Sequence, residues 1–221
     1  IMAHRRLSII DLKNGNQPLS YTYQGKTYHI TYNGEIYNMI ALKNKLLELG
    51  FTFSTTSDTE VLLASYIAWK EKCLDYLEGI FAFAINDGER LFLARDPLGV
   101  KPLYYTIINH TIIAASEMKC LLSYIGKAVV DKNGVKELLG LGPSLTPGHT
   151  IYKNIYSLRP GHYMYFKDKP HICRYWMLKD KTHTDNLAQT IQKVRHLVID
   201  SVQKQLLSDV PISCMLSGGL D

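Results

Sequence analysis

Ile80-Phe81-Ala82-Phe83-Ala84-Ile85 is an unbroken apolar run. Six residues are too few for a buried helix, so it reads as a strand covered on both faces. Asp87-Gly88 then suits a hairpin turn into a second strand, Leu91-Phe92-Leu93-Ala94. Upstream, Ser57-Asp58-Thr59-Glu60 has capping-box spacing, and the helix it opens carries Val61, Leu62, Tyr66 and Trp69. A helix is also expected from Met39 to Leu49, capped by Asn38 and closed by Gly50. Strands are expected at Leu7–Leu12, at Tyr28–Tyr32 (ended by an Asn33-Gly34 turn) and at Phe51–Thr55. Lys13 to Asn16 reads as a turn. Downstream lie strands at Tyr104–Ile107 and Thr111–Ala115 and a short helix at Glu117–Ser123. Pro143, Pro147-Gly148 and Pro160-Gly161 punctuate a β-rich stretch that runs to Tyr175-Trp176. Helices and strands mixed in this way give an α+β unit.

The texture changes after Trp176. Lys179 to Asp185 is polar and reads as a linker. Asn186 to Leu207 has helical periodicity, with Leu187, Ile191, Val194, Val198, Val202 and Leu206 on one face. Val210 to Leu216 reads as a strand that runs into Ser217-Gly218-Gly219-Leu220-Asp221. This is the opening of an α/β unit. The expected division is residues 1–178, a linker at 179–185, and 186–221. The sequence begins inside an expected strand and stops as a glycine loop opens, so we read it as a piece of a longer protein.

Composition narrows the classes. At 46% hydrophobic and 20% charged residues, the 221-residue chain is neither disordered nor fibrous. The net charge of +5 is spread along the chain without a run of like charges, which gives no nucleic-acid footprint. No apolar run reaches membrane-spanning length, and no secretory leader is visible. Cys73, Cys120, Cys173 and Cys214 form no CxxC pair, and the eight histidines show no HExxH spacing. They read as reduced, buried cysteines of a cytoplasmic protein, with no dedicated metal site.

Three constellations could carry chemistry. Two glycines after a strand, as at Ser217-Gly218-Gly219, turn backbone N–H groups inward to cradle an anion. A tight strand-to-helix turn needs the same glycines, and the loop alone does not separate the two. Asn33-Gly34-Glu35 places an Asn amide beside a Gly N–H, which suits an oxyanion hole; Asn-Gly is also a common tight turn. Arg6 could clamp a carboxylate and Asp58 could hold an ammonium, together fitting the zwitterionic end of an amino acid. Singly, an exposed Arg and a helix-capping Asp explain them as well.

The ordered set decides. His4 to Leu12, Tyr32 to Asn38, Ser57 to Glu60 and Gly79 to Ala84 come first. Ala94 to Tyr105, Ala115 to Lys119, Leu158 to His162, Ser208 to Pro211 and Ser217 to Asp221 follow. In this order they closely resemble the glutamine-hydrolysing asparagine synthetases, over essentially the whole chain. The resemblance implies a class II glutamine amidotransferase domain of the N-terminal-nucleophile type, an αββα sandwich. An ATP-pyrophosphatase domain would open after it.

By that resemblance, Arg6 would hold the glutamine α-carboxylate, with Leu7, Ser8, Ile9 and Ile10 along the same wall. Asn33 and the Gly34 N–H would stabilise the oxyanion, and Glu35 and Asp58 would surround the amino end. Leu216, Ser217, Gly218, Gly219 and Asp221 would begin the ATP site, with Mg²⁺ on the phosphates and no prosthetic group. The family hydrolyses glutamine through a thioester and passes ammonia to β-aspartyl-AMP, so glutamine, aspartate and ATP are the implied partners. Homodimers are usual in the family. The family nucleophile is a cysteine at the mature N-terminus; here residue 1 is Ile1, and the role passes to no other cysteine. The chain alone is therefore expected to be inactive and, lacking strands of the sandwich, to expose unpaired edges. Two other readings remain: an adenylating amide ligase of the same type with another acceptor (β-lactam or peptide forming), and a non-catalytic glutamine-binding remnant.

Overall fold

The computed structural model describes residues 1–7, 9–142, 145–214 and 218. Its centre is a six-stranded antiparallel sheet. The strands are β1 (Leu19–Tyr23), β2 (Lys26–Ile36), β3 (Gly79–Asn86), β4 (Leu91–Arg95), β8 (His162–Phe166) and β9 (Pro170–Arg174), side by side in that order. A smaller sheet has the order β6-β5-β7, from β5 (Tyr104–Ile108), β6 (Thr111–Ala115) and β7 (Tyr156–Ser157).

β3 shows why the layers stack. Its Phe81, Phe83 and Ile85 point one way and its Ala82 and Ala84 the other, as the two-residue strand period requires. The aromatic face packs under α1 (Met39–Glu48) and α2 (Asp58–Trp69). Phe83 lies 5.9 Å from Phe92, and Phe92 stacks on Tyr66 of α2 at 4.9 Å between ring centroids. The alanine face lets the second sheet approach, and Ala82, Leu93 and Met164 meet Leu103, Tyr105 and Leu158 there. Helix α3 (Met118–Ile125) packs against β5 and β6. Helix, sheet, sheet and helix thus form four layers, the expected αββα sandwich.

Several local expectations need correction. The described residues of the expected strand Leu7–Leu12, which exclude Ser8, form no strand: Arg6 folds onto the Ile10 and Asp11 carbonyls, and no described strand lies beside them to form a ladder. β2 does not end at a turn but runs through Asn33 and Gly34 to Ile36, because β3 pairs with it along this length. Phe51–Thr55 is not a strand; Glu60 instead gathers the Ser54 and Thr55 amides and hydroxyls. That leaves Ser57 to cap α2 alone, through the Thr59 N–H at 3.2 Å, without the reciprocal half of the box. Asn38 makes no side-chain cap; it bonds Tyr76 O and Glu78 N and pins the start of α1 to the neighbouring loop. Strand β1 and helix α4 (Lys132–Leu141) were not anticipated. Val210–Cys214 is not a strand, since no described strand pairs with it; Met215 and Leu216 lie outside the described residues. Only Cys73 among the cysteines is buried, and all four are free.

Helix α5 (Leu187–Lys204) opens with the full Asn186/Gln189 capping box. Its periodic face is exposed, from Leu187 at 76% to Leu206 at 49%. Amphipathicity set by sequence is therefore not matched by packing among the described residues.

Candidate functional site

The site grows from an edge. β1 ends its pairing at Leu19 opposite Ile30, so β2 continues past it with one edge open. In an antiparallel ladder, alternate N–H groups face the same edge. Two of these have side-chain acceptors. Tyr32 N–H donates to Gln17 Oε1 at 2.6 Å, and Ile36 N–H donates to Asp58 Oδ2 at 3.2 Å. Gly34 sits midway between them, so its N–H points to the same open edge, and no described acceptor meets it there. The residue must be glycine for a packing reason. A Cβ at Gly34 would press on the Ile80 carbonyl oxygen and lie 2.8 Å from Phe81 Cα. Asn33 faces the inter-sheet side opposite Ala82, half-buried, with no described hydrogen-bond partner for its amide.

Asp58, at the first turn of α2, is the anchor of the open edge. It is 6% exposed. Its Oδ2 accepts from Tyr32 Oη at 2.9 Å as well as from Ile36 N. Burial pushes the Asp58 carboxyl above its ordinary range, while the Tyr32, Ile36 and Thr59 hydrogen bonds and the Arg6 charge pull the other way. Glu35, half-buried, is likewise raised by burial, opposed by the Lys101 charge and reinforced by Asp58. Tyr37 is raised by burial, then by the charges of Glu35 and Asp96. Two carboxyl groups and two cations, Arg6 and Lys101, therefore feel one another at this end of β2.

Arg6 approaches from the N-terminal loop. Two of its N–H groups donate to its own loop, to Asp11 O at 2.8 Å and to Ile10 O. Gly15 lies against the guanidinium, where a Cβ would meet Cζ at 2.7 Å. Ile10 is buried, Ile9 half-buried, and Leu7 is 88% exposed. The structure thus brings Arg6, Ile10, Asn33, Gly34, Glu35 and Asp58 to one end of the large sheet. Ser8 lies outside the described residues. So do Leu216, Ser217, Gly219 and Asp221. Gly218 is exposed, and no heavy atom of the described residues stands within 4 Å of a Cβ built on it.

Four supporting residues were given no role from sequence, although Tyr32, Asp96 and Lys101 lie within its motifs. Gln17 and Tyr32 act on groups distant in the chain. Lys101 acts by charge alone. Asp96 left a local signal, an Asp opening the Asp96-Pro97-Leu98-Gly99 turn. Its buried carboxylate accepts from the Leu98, Val100, Lys101 and Phe81 amides, and so fixes the loop that carries Lys101.

Cys73 carries no nucleophile chemistry. It is fully buried, and burial pushes its thiol far above the ordinary range. Among the described residues, no group of three His, Cys, Asp or Glu side chains could hold a metal ion. No described helix is long and apolar enough to cross a membrane.

Comparison with known proteins follows the same outline. A family model for the glutamine amidotransferase domain matches residues 1–177, and one for asparagine synthase matches 193–221. Asparagine synthetase [glutamine-hydrolyzing] 3 of Bacillus subtilis (strain 168) is 49% identical over 225 residues, covering all of this chain and 37% of the relative. Asparagine synthetase [glutamine-hydrolyzing] 1 of the same strain is 40% identical over 221 residues, covering 98% of this chain and 34% of the relative. The chain thus spans about a third of the length of these relatives. Among solved structures, glutamine phosphoribosylpyrophosphate amidotransferase of B. subtilis, complexed with ADP and GMP, superposes with a TM-score of 0.54 at 23% identity. The match covers 73% of this chain and 32% of that one. At that identity the likeness speaks for the fold alone, a sandwich of two sheets between helix layers.

Proposed function

The chain belongs to the glutamine amidotransferase domain family, and from that premise we propose that it is the glutamine-handling part of a glutamine-hydrolysing asparagine synthetase. The open edge of β2 carries the reading. It offers the Gly34 N–H, with no described acceptor, between two amides held by Gln17 and Asp58. Such a donor, fixed before substrate arrives, is what a developing oxyanion needs. The Asn33 amide would be the second donor. Arg6 would take the α-carboxylate of glutamine, and Asp58 and Glu35 the ammonium. Arg6 would exchange its loop carbonyls for a carboxylate, a stronger charge-assisted pair.

The nucleophile would be the family's N-terminal cysteine. The division at 179–185 would separate this unit from the beginning of the synthetase unit. There Leu216, Ser217, Gly218, Gly219 and Asp221 would meet the ATP phosphates, with Mg²⁺ riding on the nucleotide. Ammonia released at the first site would displace AMP from β-aspartyl-AMP at the second.

The test uses the natural protein that carries this sequence. Glutamine hydrolysis, and asparagine formation that requires ATP and aspartate, are the expected activities. Asn33→Ala should lower glutamine hydrolysis by about 10²-fold or more, the usual loss for one oxyanion donor, and leave ammonia-driven synthesis intact. A natural protein that makes no asparagine from aspartate, ATP and either nitrogen source would overturn the reading.

A further inference from the structure

A cleft of about 350 Å³ opens where β5 outruns β7. None of its lining residues belongs to the glutamine site. β7 pairs with β5 only at Tyr104 and Tyr105, so β5 continues past it with one edge open. Leu103 O accepts from Leu158 N at 2.8 Å on that side. Backbone groups alternate from edge to edge in an antiparallel strand, so Ile107 presents its N–H to the open edge. No described acceptor meets it there.

Thr106 forms the floor. Tyr105 and Ile107 pack between the two sheets, so the strand period turns Thr106 to the opposite face, toward α3. Thr106 lines the cleft yet is 0% exposed, and its Oγ1 has no hydrogen-bond partner. Buried hydroxyls are nearly always paired, and this is the one such orphan among the described side chains. Ile125, at the end of α3, and Val129 give apolar walls. Lys127 and Lys153 are exposed and stand at the mouth. A short ladder holds their two segments side by side. Lys153 N donates to Val129 O at 2.9 Å, Val130 bridges Tyr152, and Asp131 N donates to Ile151 O at 2.9 Å. Neither lysine has an ion-pair partner among the described residues, and no described acidic side chain lines the cleft. The C-terminal dipole of α3 opposes an anion there, but its half charge is outweighed by two ammonium groups.

We propose that this cleft is a second small-molecule site, for an organic carboxylate whose apolar body carries a hydroxyl at its far end. The order of groups from mouth to floor sets this class: cations, apolar walls, an unpaired hydroxyl. Lys127, Lys153 and the Ile107 N–H meet the carboxylate, and Ile125 and Val129 cover the body. A slight opening of the walls admits the far hydroxyl to Thr106 Oγ1, which gains the partner it lacks. The volume lies at the lower end of the range for small-molecule sites, about 300–1,000 Å³.

The probes are para-hydroxybenzoate, benzoate and para-hydroxybenzamide, titrated against the natural protein and followed by saturation-transfer NMR. Saturable binding of para-hydroxybenzoate is expected, with the uncharged amide about tenfold weaker or more. Lys127→Met combined with Lys153→Met should weaken para-hydroxybenzoate by about the same factor. Thr106→Val should weaken it about fivefold and leave benzoate, which has no far hydroxyl, unchanged. The thermal midpoint of T106V should hold or rise, because a methyl of the same shape replaces an unsatisfied hydroxyl; unfolding then cannot explain a loss of affinity. Equal affinity for the acid and the amide overturns the proposal. So does an affinity unchanged in the double lysine variant, which places the ligand elsewhere on the protein. A T106V chain that weakens both acids alike, or neither, overturns the order of groups on which the ligand class rests. No saturable binding of para-hydroxybenzoate overturns it outright. None of these readouts depends on glutamine turnover, so the functional reading stands or falls separately.

Discussion

Tyr32 Oη donates to Asp58 Oδ2 at 2.9 Å, and both residues are almost wholly buried. The bond joins β2, second from the edge of the large sheet, to the first turn of α2 at the end where β2 lies open. Tyr32→Phe removes the hydroxyl and keeps the ring, so packing is preserved and Asp58 Oδ2 keeps only the Ile36 N–H of its two donors. A single hydrogen bond contributes about 0.5–1.5 kcal/mol, and more where one partner is charged. Thermal unfolding of Y32F should shift down accordingly. The Asp58 carboxyl should rise further above its ordinary range, because the Tyr32 hydrogen bond is one of the contacts holding it down. Carbon-13 titration of the Asp58 carboxyl reads this; a value unchanged in Y32F would show that the bond does not matter to the charge.

Gly34→Ala tests the close approach of β2 to β3. The added methyl meets backbone at Ile80 and Phe81, which cannot swing aside as a flexible side chain can. Overpacking of this sort costs about 1–3 kcal/mol. The strand must also shift, which moves the Gly34 N–H. Urea unfolding should show the lowered midpoint, and glutamine affinity should fall more than in Y32F. A G34A chain as stable as the parent would mean that the two strands stand farther apart than described.

The acid limb of stability should show two opposite signs. Burial raises Asp11, but the Asn14 and Thr56 amides and the Arg6 charge together hold it below its ordinary 3.8. A lowered folded value stabilises above the unfolded value, and that stability is lost as pH falls through the folded one. Asp58 is raised above 3.8 by burial. Its contribution is present below the unfolded value and fades as pH rises through the folded one. The deficit of Asp11→Asn should therefore be full at neutral pH and close below about pH 4. Asp58→Asn should lose most against the parent at low pH. Urea midpoints from pH 3 to 7 check both, and parallel curves for the two variants would refute the assignment.

The sequence carries the fold where local pattern and tertiary contact agree. The Phe/Ala alternation of β3 is such a place: one face must meet bulk and the other must admit a second sheet. It carries less where a residue's partner is far along the chain. Asn33-Gly34 has the composition of a turn, yet eight residues of β3 pair with β2 across it and hold the strand extended. Glu60 has capping-box spacing, but the Ser54 and Thr55 donors outbid the Ser57 amide. Leu7–Leu12 has the apolar content of a strand and has no described neighbour to pair with. The site residues came from an ordered set of motifs, and Arg6, Ile10, Asn33, Gly34, Glu35 and Asp58 lie at one end of the large sheet. The supporting roles of Gln17 and Tyr32 were not legible because each acts on a group that is distant in sequence.

Asp96 is the support whose loss should reach farthest. It is 1% exposed, and its carboxylate accepts from Leu98 N at 3.1 Å, Val100 N at 2.9 Å, Lys101 N at 3.0 Å and Phe81 N at 3.4 Å. Three of these donors belong to the loop that follows β4, and the fourth to the neighbouring strand. The carboxylate thus binds the loop to the sheet and places Lys101, whose charge lowers Glu35. Asp96→Asn keeps the shape and replaces one acceptor oxygen by a donor that faces N–H groups. Each lost bond to a charged acceptor is worth about 1.5–3 kcal/mol, so a drop at the upper end of that range is expected in urea unfolding. Glu35 should then rise further as Lys101 drifts away. Lys101→Met removes the charge without disturbing the four amides, and should raise Glu35 while leaving the urea midpoint nearly unchanged. If K101M destabilises as much as D96N, the loop depends on the lysine itself, and the carboxylate is not what holds it.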